Sequence, residues 1–254
     1  EQLTQLLFGE VCEVLDRLPR WTKIRSTLDG QEGWVDFKMV SLTSEPSEQL
    51  ALRVLNAPAV AAPMAAATPM DGGADLLLTL GTRLPNYAHG TFEVLGKQYL
   101  IDPTCVSTAQ RSTGEADLQQ SDLQRSDLAT IAQSLLNAPY LWGGKNAMGM
   151  DCSGFTQVVY AAMGVNLLRN AREQMTQGEL VPSLAEAQPG DLAFFDHADR
   201  DPNATNISHV GLLLSSTESI DCSGCVHIDA INEQGIHLSN GELTHHLVQI
   251  NRYL

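Results

Sequence analysis

Residues 151–164 read DCSGFTQVVYAAMG, and this stretch is the best guide to the fold of the C-terminal half of the chain. Asp151 is a favourable helix N-cap, and Gly164 is a favourable stop signal. The apolar residues between them recur at the spacing that places them on one face of a helix. The pattern predicts an amphipathic helix over residues 152–163, with Cys152 as its first residue.

The chemistry suggested by Cys152 depends on its place at the start of a helix. There, the positive end of the helix dipole and unpaired backbone N–H groups stabilise a thiolate. A thiolate nucleophile also needs an imidazole base, and the base needs a third group that fixes its tautomer. His209 opens a predicted strand, and Asp221 ends the return strand of the same predicted hairpin. We therefore predict Cys152, His209 and Asp221 as the catalytic residues, with His227 as the alternative third residue.

The pattern of apolar and turn residues divides the whole chain into four regions. Residues 128–254 combine helical periodicity with later strand-like apolar runs, which predicts an α+β domain. Residues 1–50 and residues 51–113 alternate short apolar runs with turn residues, as small all-β barrels do. Residues 114–127 are polar and suit a linker or the start of a helix. The prediction is two small barrels, a linker and one catalytic domain.

The composition and net charge of the chain limit the kinds of molecule that it can bind. The 254 residues include 15 Lys+Arg and 30 Asp+Glu, giving a formal net charge of -15, and 43% are hydrophobic. This acidity disfavours binding to nucleic acid or to an anionic membrane surface. The longest apolar stretch, Ala57–Met70, contains three prolines, so no membrane helix is predicted. Five cysteines, an odd number, argue against a complete disulfide framework, and we expect a monomer.

Four ordered segments resemble the NlpC/p60 family of papain-like cysteine peptidases. They are PYLWGG at 139–144, DCSGF at 151–155, PGDLAFF at 189–195 and HVGL at 209–212. Upstream, LLFGE at 6–10 and DGQEGW at 29–34 resemble the bacterial SH3-like domains of one branch of that family. The branch is similar to γ-D-glutamyl-L-diamino acid endopeptidases, which cut peptidoglycan stem peptides.

This resemblance implies roles for individual residues. The family's nucleophile falls on Cys152 and its base on His209. The third residue is usually histidine, in a pattern like Ile-His-Ala-Ser-Gly, whereas this chain has Asp221 at that position. The Tyr140 hydroxyl is expected to assist the oxyanion, and Trp142 is expected either to line the cleft or to brace it.

The resemblance also implies a substrate-binding group. Glu10, Asp151 and Ser153 match positions that recognise the free amine of an N-terminal L-Ala. The first SH3-like domain is expected to wall off the cleft, so that small muropeptides fit. The family often has an aromatic residue in the turn after Asp29, where this chain has Gln31.

Other functions and sites remain open on the sequence alone. We predict no cofactor and no metal site, because the possible zinc ligands Cys222, Cys225 and His227 lack a second ligand pair beyond a weak candidate at 245–246. The alternative functions are a non-catalytic cell-wall binding protein and a papain-fold amidase or acyltransferase. The chain begins at Glu1, which is consistent with removal of a leader, and its compartment, inside the cell or outside the inner membrane, is left open.

Overall fold

The computed structural model of the protein describes residues 1–107, 118–197 and 206–254, with backbone only over 118–124. The strands of these ranges form a seven-stranded sheet and four smaller sheets. No helix in the described ranges has both the length and the apolar character needed to cross a bilayer.

The first small sheet is an antiparallel meander. Its strands are β1 (Cys12–Arg17), β2 (Trp21–Ser26) and β3 (Glu32–Asp36). Alternate residues of β2 are buried, which is the pattern of a sheet with one covered face. The short strands and tight turns predicted for residues 1–50 are present, and their assignment to a bacterial SH3-like barrel stays a prediction.

The second region contains strands and one helix. The elements are α1 (Ser47–Leu55), β4 (Ala59–Val60), β5 (Met64–Pro69), β6 (Leu76–Thr79), β7 (Thr91–Val94), β8 (Lys97–Ile101) and β9 (Val106–Ser107). Four strands form an antiparallel sheet in the order β6-β5-β8-β7, and β4 pairs with β9. Sequence analysis did not predict α1, which buries Ala51 and Val54, and the predicted domain boundary after residue 50 falls inside it.

The C-terminal region has the predicted mixture of helix and sheet. Its helices are α2 (Leu118–Gln133), α3 (Cys152–Ala162) and α4 (Ala171–Gln174). Its strands are β10 (Lys145–Asn146), β11 (Gly149–Met150), β12 (Glu179–Val181), β13 (Leu192–His197), β14 (His209–Leu213), β15 (Glu218–Ser223), β16 (Cys225–Asn232), β17 (Gly235–His237) and β18 (Leu243–Arg252). Of the predicted linker 114–127, residues 114–117 lie outside the described residues, and 118–127 belong to α2.

The seven-stranded sheet curves enough to close. Its order is β12-β18-β13-β14-β15-β16-β17, and β17 pairs again with β18. Apolar side chains of α3 share one buried core with residues from β13, β14 and β15, including Phe155, Val159, Phe194, Val210 and Ile220. This packing fixes the first turn of α3 against the strands that begin at His209 and end near Asp221.

The N-terminal regions also pack on the C-terminal region. Gln157 of α3 donates to the Asp29 carboxylate at 3.2 Å, and Arg83 donates to the Asn166 side chain at 2.6 Å. Desolvation lowers the pKa of the buried Arg83 to about 10. The β1–β3 sheet and the second region are therefore both anchored to the region that contains α3.

Candidate active site

Cys152 lies at the first position of α3, as the sequence predicts. The Asp151 carboxylate accepts a hydrogen bond from the Gly154 backbone N–H at 2.7 Å and caps the helix. Gly164, with φ of 78°, follows the end of the helix in the left-handed region that glycine tolerates best. The thiol of the partly buried Cys152 therefore lies at the positive end of a capped helix.

His209 and Asp221 meet on one face of the β14–β15 pair. Gly211 lies directly opposite Asp221, so His209 is a diagonal neighbour of the carboxylate. His209 Nε2 lies 3.0 Å from Asp221 Oδ1, and both side chains are buried. The ring N–H is not aligned for a hydrogen bond, so this contact is a close electrostatic pair.

Gly211 has no side chain, which leaves space between β14 and β15 for the His209–Asp221 pair. A Cβ atom there would lie 2.2 Å from Ser219 Oγ and 3.2 Å from Asp221 Cβ. Glycine therefore keeps open the space that Asp221 occupies beside His209.

The environment of His209 favours its charged form. Burial is the largest influence and acts to lower its pKa, but the Asp221 carboxylate and then Cys152 act in the opposite direction. The pKa of His209 ends well above its usual value. The site can thus hold an imidazolium between a sulfur atom and a carboxylate, which is the arrangement that thiolate chemistry requires.

Arg169, which sequence analysis missed, organises the residues around the nucleophile. Its guanidinium donates to Asp151 Oδ2 at 2.6 Å, to Asp151 Oδ1 at 3.0 Å and to Ser153 Oγ at 2.9 Å. The Arg169 side chain is only 1% exposed. The available signal was a single cation that follows two leucines, Leu167 and Leu168, and precedes the capping residue Asn170.

Replacing Arg169 with methionine should destabilise the fold by about 3–5 kcal/mol, because Asp151 would keep a buried and unpaired charge. Urea unfolding followed by circular dichroism measures this loss. Arg172→Met is the control, since Arg172 is exposed one turn later. A loss for Arg169→Met no larger than that of the control would contradict the assigned role.

Glu10 forms a second buried ion pair with the same region. Lys145 Nζ lies 2.7 Å from Glu10 Oε1, and the side chains are 2% and 9% exposed respectively. Burial raises the pKa of Glu10, with Lys145 acting against that shift. Among the described residues, Glu10 Oε2 has no hydrogen-bond partner. One carboxylate oxygen is therefore left to accept a further donor.

The first ten residues run along the loop that precedes α3. Gln2 Nε2 donates to the Trp142 carbonyl at 3.0 Å, and Thr4 Oγ1 accepts from Arg169 Nε at 2.9 Å. Gln5 Oε1 accepts from the Lys145 backbone N–H at 2.8 Å. A Cβ atom at Gly143 would lie 2.8 Å from the Gln2 carbonyl oxygen, so the approach requires glycine there. We name residues 2–10 the N-terminal strap, since they contact both the loop before α3 and Arg169.

The two aromatic residues of the loop differ in their placement. Burial, and next the charge of Cys152, raise the pKa of Tyr140 to about 12, so its hydroxyl lies within electrostatic reach of the nucleophile. Trp142 is 61% exposed, and its contact with the strap is made by its backbone carbonyl. The structure thus brings Tyr140 toward Cys152 and leaves the Trp142 indole at the surface.

His227, the alternative third residue, lies farther along the sheet. It pairs with Asp221 across β15 and β16, and its Nε2 lies 3.0 Å from Asp229 Oδ2. Cys222 is buried and donates to the Met150 carbonyl at 3.2 Å. Across the described ranges, the structure brings together one group of three residues of the kinds that bind metals, and this group includes neither Cys222 nor Cys225.

Comparison with known proteins identifies the C-terminal region. Residues 137–237 match the sequence model of the NlpC/P60 family. These residues form an NlpC/P60 domain. The match contains the nucleophile candidate on α3 and the His209–Asp221 pair.

Relatives extend the likeness upstream of the NlpC/P60 domain. Two curated proteins named gamma-D-glutamyl-L-lysine dipeptidyl-peptidase resemble the chain: one from Bacillus cereus is 26% identical over 85% of this chain and 66% of its own length. The other, from Bacillus subtilis, is 28% identical over 82% of this chain and 68% of its own length. The chain thus spans about two thirds of these relatives, and the comparisons support a peptidase-type hydrolase.

A crystal structure of an NlpC/P60 family protein from Bacillus cereus has the same fold over nearly the whole chain. The TM-score is 0.77 at 24% identity, with 99% of this chain and 82% of that chain covered. The NlpC/P60 fold is therefore confirmed. The papain-like relationship and the two SH3-like barrels stay predictions.

Proposed function

We propose that this protein is a cysteine endopeptidase that hydrolyses the γ-D-glutamyl-L-diamino acid bond of peptidoglycan stem peptides. The observation that carries the proposal is the buried His209–Asp221 pair beside Cys152 at the start of α3. The names of the two Bacillus relatives support the choice of bond. Their diamino acid is lysine by name, and the residues described above favour neither lysine nor diaminopimelate.

The proposed reaction uses side chains and backbone groups already present in the site. The Cys152 thiolate attacks the γ-carbonyl carbon of D-Glu, and the imidazolium of His209 donates its proton to the leaving amine of the diamino acid. Water then attacks the thioester carbon and gives a proton to His209. This step restores the Cys152 thiolate and the His209 imidazolium. Backbone N–H groups at the start of α3, assisted by the Tyr140 hydroxyl, stabilise the oxyanion.

Asp221 has a supporting role in this scheme. Its carboxylate lies close to His209 Nε2 and favours the charged ring. A carboxylate in this position holds the imidazole and stabilises the imidazolium without itself taking the proton. We therefore assign Asp221, rather than His227, as the third catalytic residue.

The N-terminal strap supports selectivity for a short peptide. The strap contacts Trp142, Lys145 and Arg169. In the proposal, it closes one end of the site so that only a dipeptide fits before the scissile bond. In the proposal, the L-Ala ammonium is recognised by Glu10, Asp151 and Ser153. Asp151 is already held by Arg169, so the free oxygen of Glu10 is the strongest remaining acceptor.

The acidity of the chain agrees with a small substrate. A formal net charge of -15 repels an anionic polymer at long range. Small soluble muropeptides need no such surface contact. The charge therefore favours trimming of released fragments over attachment to the wall.

Incubation with L-Ala-γ-D-Glu-meso-diaminopimelate should release L-Ala-D-Glu, as measured by mass spectrometry. The N-acetylated peptide should be cleaved at least tenfold more slowly, because an amide cannot make the ion pair of a free ammonium. The lysine-containing peptide reports the preference at the diamino acid. Equal rates for the free and acetylated peptides would refute recognition of the amine and leave the peptidase proposal standing.

A further inference from the structure

A second group of ligand-type side chains lies on the far side of Asp221 from Cys152. It consists of Asp221 on β15 with His227 and Asp229 on β16, and we name it the Asp–His–Asp cluster. One ligand atom from each residue lies within 4.8 Å of the other two. The mechanism uses Asp221 and leaves His227 and Asp229 without a role.

Asp221 contributes a buried carboxylate with unused hydrogen-bond acceptor capacity to this cluster. Its side chain is 0% exposed, and neither oxygen has a hydrogen-bond partner among the described residues. Its close approach to His209 is made through Oδ1. A buried carboxylate with so few donors retains lone pairs that can bind a cation.

His227 is oriented as metal-binding histidines are. Its Nδ1 lies 2.8 Å from the Cys225 carbonyl oxygen. A carbonyl only accepts hydrogen bonds, so Nδ1 carries a proton, and Nε2, which pairs with the Asp229 carboxylate, is the nitrogen that a metal ion would bind after displacing its proton. That Nε2 faces Asp229 Oδ2 at 3.0 Å. A backbone carbonyl that fixes the far nitrogen of the ring is the usual support of a ligating histidine.

The charges of the cluster also favour a cation. The cluster places the two carboxylates of Asp221 and Asp229 beside a single imidazole. His227 and Asp229 remain 35% and 20% exposed, so an ion in solution can reach them. A divalent cation among the three residues would offset the repulsion between the two carboxylates.

The donor set points to a class of ion. One imidazole and two carboxylates suit zinc and similar transition metals, whereas calcium and magnesium prefer oxygen ligands alone. Zinc bonds of about 2.0 Å place tetrahedral ligand atoms about 3.3 Å apart. Rotation of the partly exposed His227 and Asp229 side chains would close the widest present spacing.

We propose that the Asp–His–Asp cluster binds a divalent transition-metal ion of the zinc class, which competes with His209 for Asp221 and so inhibits the enzyme. The inhibitory effect rests on the proposed function, but binding of the ion does not. Metal occupancy draws the Asp221 carboxylate toward the ion and removes its support from the imidazolium. The same ion would not need to contact Cys152.

The first test is calorimetric titration of zinc chloride into the full chain carrying Cys152→Ala, which removes the competing thiolate. One equivalent should bind. His227→Gln and Asp229→Asn, each added to that background, should weaken binding by roughly tenfold or more, since even residues that only support a ligand have effects of this size. His237→Gln is the matched control, because His237 is partly exposed on the neighbouring strand β17 and bonds to Asn232.

Two further measurements separate the cluster from its rivals. Cys225→Ser should leave zinc affinity within about threefold, which excludes a site made by His227 and that thiol. In the enzyme with an intact Cys152, zinc should slow turnover, and Asp229→Asn should raise the zinc concentration needed by roughly tenfold. Absence of stoichiometric binding, or equal affinity in the His227 and Asp229 variants and the control, would overturn the site. Zinc binding without slower turnover of an active enzyme would overturn the competition for Asp221.

Discussion

Cys152→Ala should abolish hydrolysis of L-Ala-γ-D-Glu-diamino acid peptides, with a loss of about 10⁴-fold or more in kcat. The proposed reaction passes through a thioester on this sulfur, and alanine cannot form it. The rate is measured by mass spectrometry of released L-Ala-D-Glu. Thermal unfolding of the variant should be nearly unchanged, because Cys152 is only partly buried.

Cys12 provides the matched control for this prediction. It is also partly buried, but burial and the nearby Glu10 raise its pKa to about 12, so its thiol is a poor nucleophile near neutral pH. Cys12→Ala should therefore keep the activity of the unmodified chain. Substantial turnover by Cys152→Ala, or an equal loss in both variants, would contradict the assignment. An unmodified chain that binds the peptide without cleaving it would favour the cell-wall binding alternative.

Asp221→Asn should reduce kcat by about 10²- to 10⁴-fold, while His227→Gln should cost less than about tenfold. The amide keeps the shape of the carboxylate but removes the charge that favours the His209 imidazolium. His227 lies beside Asp229 instead of beside His209. Rates measured with EDTA present exclude any effect of bound metal on either variant.

The pH profile distinguishes this role of Asp221 from a structural one. The pKa of His209 is raised, so the imidazolium persists until the pH rises through that value. Loss of the Asp221 charge lowers this pKa, and the alkaline limb of the profile should move to lower pH. A larger loss for His227→Gln than for Asp221→Asn would transfer the third role to His227. A reduced rate with an unmoved alkaline limb would make Asp221 a packing residue.

The elements that were predictable from sequence are those whose signals lie within the element itself. The limits of α3 follow from its cap and its glycine stop, and β14 begins at His209 as predicted. The helix α1 was missed because it is only nine residues long and lies among strand-like segments, and only Ala51 and Val54 are buried. Propensity is a weak guide when tertiary packing decides the structure.

The site could be predicted only where one motif carried its chemistry. The family pattern placed Cys152, His209 and Asp221, and the structure brings the last two into contact. Arg169 and Lys145 find their carboxylates 18 and 135 residues away along the chain. No local spacing encodes a partner at either distance: the Arg169–Asp151 pair forms when the C-terminal region folds, and the Lys145–Glu10 pair forms only when the N-terminal region packs on it.

The N-terminal strap has a consequence for how such an enzyme could diversify. It lies more than 130 residues before the nucleophile in the chain, yet it contacts the loop that carries Trp142 and Lys145. In the proposed scheme, the strap limits the length of the substrate, while the NlpC/P60 domain performs the reaction. Recombination that exchanged the beginning of the gene would therefore alter which peptides are accepted without touching the hydrolytic machinery. In the proposed scheme, substrate choice and bond cleavage can therefore evolve independently of each other.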